Sequence, residues 1–106
     1  MEKALTLSHP SKEKGNRLER LVVKMSKEAG LSAKRAYASD GRSLGEAEDV
    51  DVLIDNKWKV QCKARKKIAS YIPPPKSCNF TVVKEDRGEV LAVLPLKDLL
   101  NNLWYE

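Results

Sequence analysis

Val50-Asp-Val-Leu-Ile-Asp-Asn-Lys-Trp-Lys-Val-Gln-Cys-Lys-Ala-Arg-Lys-Lys67 is the stretch whose reading decides the fold. From Trp58 onward it alternates, with Trp58, Val60, Cys62 and Ala64 set against Lys57, Lys59, Gln61, Lys63 and Arg65. A period of two marks a strand with one buried face. Residues 50–54 supply a partner strand, and Asp55-Asn56-Lys57 joins the two as a three-residue hairpin loop. Burial dictates register, because a slip of one residue turns the apolar set outward. Ile54 is therefore expected opposite Trp58, Val52 opposite Val60, and Val50 opposite Cys62. The same register sets Asp51 across from Gln61, with Lys63 two residues along.

Working outward, the chain has 106 residues, 42% of them hydrophobic and 33% charged, which predicts one globular domain with a modest core. No apolar run approaches a membrane span, and the N-terminus lacks the apolar core of a secretory signal. A cytosolic protein is expected, in the host cytosol if it is phage-encoded. Two cysteines, Cys62 and Cys78, and one histidine, His9, are too few and too badly spaced for a disulfide framework or a structural zinc site. Cys62 reads as a small core residue.

Charge is unevenly spread. Residues 31–56 carry a net charge of −3, and residues 57–76 hold seven basic groups and no acidic one. An acidic cluster thus runs into a basic one across the hairpin. A basic surface suits a partner with phosphates, and neighbouring acids suggest a metal site within it. The same lysines also protect a strand edge from aggregation.

Residues 1–14 read as an irregular arm. Asn16 is the expected N-cap of a helix from Arg17 to Ala29, with Leu18, Leu21, Val22, Met25 and Ala29 as its apolar stripe and Gly30 as its stop. Glu19 falls in its first turn, beside that stripe. Residues 33–38 read as a strand and 39–45 as a loop. Lys66–Ile72 reads as a helical turn stopped by Pro73-Pro74-Pro75. A second hairpin follows, from Phe80–Lys84 and Glu89–Leu94 across a turn at 85–88. A short helix then runs through Leu103, and Trp104 and Tyr105 pack in the core or at a dimer contact. The expected architecture is α/β, a mixed β-sheet flanked by helices.

Phosphodiester hydrolysis at neutral pH needs an activated water and charge stabilisation, which a divalent metal on hard oxygen ligands supplies. Asp51, the Gln61 amide oxygen and the Cys62 peptide carbonyl are candidate ligands, with Glu19 completing the sphere or holding a second ion. Glu48 reaches it if its loop folds back. Lys63 is placed to orient or deprotonate the water, or to neutralise developing charge. Arg17, Arg20, Lys24, Arg35, Arg42, Lys59, Arg65, Lys66 and Lys67 are candidate DNA-backbone contacts.

Asp51, nine intervening residues, then Gln61-Cys62-Lys63 resembles the PD-(D/E)XK nuclease core. Gly15-Asn16-Arg17-Leu18-Glu19-Arg20 is similar to the first helix of Holliday-junction resolvases of archaeal type and their phage relatives. Residues 35–41 resemble the loop in which those enzymes carry a functional serine, which falls on Ser39. The resemblance, over residues 15–103, implies a restriction-endonuclease-like α/β sandwich that uses Mg²⁺ or Mn²⁺. It further implies a homodimer nicking opposing strands of a four-way DNA junction. Gln61 departs from the family's usual glutamate, although some members of the wider superfamily also use glutamine. A neutral amide there lowers the site's negative charge and weakens magnesium binding. The alternatives are a non-catalytic nucleic-acid-binding module on a degenerate nuclease fold, or another PD-(D/E)XK DNA nuclease.

Overall fold

The computed structural model describes residues 10–37 and 40–103. They combine helices with small antiparallel sheets, and they divide into two compact units, one ending at Arg65 and one beginning at Lys66. The expected single mixed sheet is absent from the described residues. Pairing is antiparallel throughout, in a three-stranded sheet and a separate two-stranded one.

The first unit opens with α1, Pro10–Glu28. The helix starts well before Arg17, so Gly15 and Asn16 lie inside it rather than at its cap. Proline suits a first turn because the missing N–H has no intrahelical partner there. Among the described residues of α1, Glu19, Val22 and Ser26 are buried, whereas Leu21 is 49% exposed. The expected stripe was therefore rotated, and Glu19 occupies mid-helix within the buried line rather than the first turn beside it. Ser26 satisfies its hydroxyl by donating to the Val22 carbonyl at 2.7 Å. The helix closes with Gly30 at φ 88°, the Leu31 N–H on the Ser26 carbonyl and the Gly30 N–H on that of Lys27. That pair of bonds is a Schellman closure, in which glycine takes the left-handed position without steric penalty.

Strands β1 (Ala33–Arg35), β2 (Val52–Ile54) and β3 (Trp58–Val60) form the sheet in that order. Ala33 pairs with Ile54 and Arg35 with Val52, while Val52 pairs with Val60 and Ile54 with Trp58. β1 is shorter than the expected 33–38, although the Ala36 N–H still donates to the Asp51 carbonyl at 2.8 Å in the same register. Every residue of central β2 is buried, and Leu31, Ala33, Ala36 and Val50 join it in the core. Asp55 and Asn56 turn the hairpin at φ 57° and 58°, with the Lys57 N–H on the Ile54 carbonyl at 3.1 Å. Two successive left-handed residues match the twist of the flanking strands, and Asp and Asn tolerate that conformation best after glycine.

Between β1 and β2 the chain makes a 3-10 turn, Gly41–Leu44, capped by the Asp40 side chain on the Arg42 N–H. Gly41 is buried against backbone. A Cβ there would collide with the Ala47 carbonyl oxygen and stand 2.8 Å from that of Val50.

In the second unit, β4 (Thr81–Lys84) and β5 (Val90–Val93) pair from Thr81 opposite Val93 to Lys84 opposite Val90. The helix α2, Leu96–Asn102, follows Pro95 and buries Leu100. The helical turn expected at Lys66–Ile72 is not formed, and an isolated turn with the Ile72 N–H on the Ala69 carbonyl stands in its place.

Candidate functional site

In the first unit a cleft of about 360 Å³ gathers residues from three parts of the chain. Lys12, Gly15, Asn16 and Glu19 come from one flank of α1. Glu48, Asp49 and Asp51 come from the segment entering β2, and Gln61, Cys62 and Lys63 from the chain leaving β3. Asp51, Gln61, Lys63 and Glu19 thus border one cleft.

The local backbone sets Asp51 differently from the expected register. The Asp51 N–H donates to the Val60 carbonyl at 2.8 Å, one residue short of Gln61. Such an offset has the character of a bulge, which re-aims a side chain out of strict alternation. The β3 ladder ends at Val60, so neither the Asp51–Gln61 nor the Val50–Cys62 pairing forms. In their stead Asp51 Oδ2 accepts the Cys62 N–H at 2.7 Å, and the carboxylate itself ties the exit of β3 to the entry of β2. Asp51 is only 8% exposed, and Oδ1 has no hydrogen-bond partner among the described residues.

Glu19, 4% exposed, is held from the other side. Arg35 donates to its Oε1 through Nε at 3.3 Å and Nη2 at 3.1 Å, and Nη2 also reaches Asn16 Oδ1 at 3.3 Å. Arg35, expected on the DNA backbone, is therefore committed to orienting Glu19 and Asn16. Cys62, expected as a small core residue, is only half-buried and lines the cleft. Its thiol is pushed up to about 11, chiefly by burial and then by the charges of Asp51 and Glu19. Both carboxylates thus act on the same point of the cleft.

Among the described residues, no three His, Cys, Asp or Glu side chains are grouped to hold an ion. The hard-oxygen side chains lining the cleft are the carboxylates of Asp51 and of Glu19, the latter already engaged by Arg35, and the Gln61 amide. That hard-oxygen set fits magnesium or manganese, which take one or two carboxylates and keep waters and substrate phosphates as further ligands.

Of the other basic candidates, Arg42 is engaged by Asp40 at 2.7 Å and Lys59 by Glu46 at 3.4 Å. The Arg42 guanidinium, hydrogen-bonded to Asp40, holds that carboxyl below its usual range. Arg17 and Arg20 border a neighbouring recess on α1 with Glu13 and Asn16. Arg65 donates to the Ala64 carbonyl at 2.9 Å, and Lys24, Lys66 and Lys67 are exposed. Ser39, His9, Trp104 and Tyr105 lie outside the described residues. Lys12, Gly15, Asn16 and Asp49 also line the cleft and are not among the site residues expected from the sequence, in which residues 1–14 read as an arm and Asn16 as a cap. The helix-compatible run Lys12-Glu13-Lys14 after Pro10 was the available signal. Compared with known proteins, the chain matches no family model, no curated protein and no solved structure at a significant level.

Proposed function

We propose that the chain is a metal-dependent, structure-selective DNA endonuclease, in the manner of a four-way-junction resolvase acting as a homodimer. In this reading α1 over β1–β3 is the heart of a restriction-endonuclease-like sandwich. The observation that carries it is the shared cleft, in which Glu19 and Asp51 meet Gln61, Cys62 and Lys63.

A divalent ion, when bound, supplies charge neutralisation at the phosphoryl group and activation of water. The chain's residues do the rest. Asp51 presents Oδ1 while Oδ2 is pinned by the Cys62 N–H, so its geometry is set before any ligand arrives. Arg35 fixes the rotamer of Glu19. Lys63, exposed at the cleft, carries an ammonium with no ion-pair partner among the described residues, available to a phosphate oxygen or the attacking water. Backbone binding through lysines and arginines carries little sequence preference, so substrate shape does the selecting.

The test is incubation of a synthetic four-way junction and a linear duplex with protein and magnesium or manganese. Paired nicks in the junction are expected, with the duplex left largely intact. Lys63→Ala is expected to abolish cleavage and retain junction binding. Asp51→Asn is the matching variant, because it keeps an acceptor for Cys62. Intact junction with every metal sinks the resolvase reading. A second reading, a non-catalytic nucleic-acid-binding module, draws on the neutral Gln61 and on the Arg35 contact already made by Glu19. Gln61→Glu separates the two: a degenerate site stays silent, whereas a working one tolerates or gains from the added charge.

A further inference from the structure

Gly15 stands in the interior of α1, where glycine is a poor choice on conformational grounds. Nothing in the fold asks for it. A Cβ at this position would meet no heavy atom within 4 Å, and its φ is not left-handed. Gly15 does, however, border the cleft between Lys12 and Glu19 on one flank of the helix. Next to it, Asn16 Oδ1 accepts from Arg35 at 3.3 Å, which fixes the amide orientation. The two Nδ2 hydrogens then have no acceptor among the described residues, and the Lys12 ammonium has no ion-pair partner there either. Two kinds of unspent donor therefore flank a spot where the backbone carries no side chain.

We propose that Lys12, Gly15 and Asn16 form a phosphate seat, in which a phosphodiester of the DNA substrate lies against the bare backbone of α1. The seat rests on the nuclease reading and extends it, since it assigns the substrate's approach to the helix flank leading to Glu19. Lys12 supplies the charge, the Asn16 amide donates to a phosphate oxygen, and Gly15 provides the close approach. Arg35 acts here as a positioning residue, since it orients the amide without reaching the phosphate.

Binding of fluorescent four-way junction in calcium, which allows binding to be read without turnover, is compared with thermal melting for Gly15→Leu, Asn16→Asp and Lys12→Ala. Asn16→Asp keeps the acceptor for Arg35 and replaces the donors with a carboxylate. Gly15→Leu and Asn16→Asp are expected to melt no lower than the native chain and to bind about tenfold more weakly. Lys12→Ala should lower the slope of log affinity against log salt by about one phosphate contact. Should Gly15→Leu destabilise the fold, Asn16→Asp and Lys12→Ala decide. Unchanged affinity and slope in folded variants, with a native chain that binds and cuts DNA, overturn the seat alone. A native chain that neither binds nor cuts any DNA overturns the nuclease reading and the seat with it.

Discussion

Asp51 has a structural role that is separable from the chemical one proposed for it. Its Oδ2 replaces a missing rung of the sheet by taking the Cys62 N–H. Asp51→Ala is therefore expected to cost about 1–3 kcal/mol in urea unfolding, the penalty of orphaning a partly buried donor. Asp51→Asn should lose far less stability, so only that variant isolates chemistry from folding. Gly41 is a stricter case. Its absent Cβ leaves room for the Ala47 and Val50 carbonyls, and backbone cannot step aside as a side chain can. Gly41→Ala is expected to lower stability by at least about 3 kcal/mol, measured by thermal or urea unfolding. Cys62 makes a prediction in pH. Its folded thiol releases its proton near 11 rather than the usual 9.0, because burial and then Asp51 and Glu19 oppose the thiolate. A raised value favours the protonated folded state, so this contribution is complete below pH 9 and is lost as pH rises toward 11. In a Cys78→Ser background, the alkylation rate of Cys62 should rise with a midpoint near 11, and a midpoint near 9 would refute the buried setting.

At the scale of elements, the turns show where local chemistry and tertiary demand agree or part. The β2–β3 turn places Asp55 and Asn56 in the left-handed region, which their short side chains accept. The β4–β5 turn does not follow its glycine. Arg87 takes φ 64° while Gly88 does not, and the Gly88 N–H closes on the Glu85 carbonyl at 2.9 Å. Arg87→Gly should therefore raise stability by about 1 kcal/mol, read as a higher melting temperature for the hairpin-bearing chain. In helix α1 tertiary demand prevails over local preference. Packing against β1 and β2 overrides the weak helix preference of Gly15 and Asn16, since tertiary burial supplies most of a helix's stability. The helix runs past Gly15 to Pro10, and Lys12 lines the cleft.

Under the proposed junction-resolving function, two opposed cuts call for two active clefts, and so for two chains related by a two-fold axis. Light scattering on the purified protein should return twice the chain mass at micromolar concentration, and a strictly monomeric protein that still makes paired nicks would argue against symmetric resolution. No helix among the described residues is long and apolar enough to cross a membrane. How far the sequence alone reaches is clearest in the hairpin. Alternation and the cost of exposing Trp58, Val60, Val52 and Ile54 were enough to pair β2 with β3 in the observed register, because a period of two is a local property. The candidate residues Glu19, Asp51, Gln61 and Lys63 were also legible, through their spacing and chemical type. What tertiary structure alone decided is how they are held. The one-residue offset at Asp51, the capture of Glu19 by Arg35, and the burial of Glu19 and Ser26 in place of Leu21 all depend on contacts between segments far apart in sequence. No local pattern encodes a hydrogen bond between residues 19 and 35, and only the folded chain brings that donor and acceptor together.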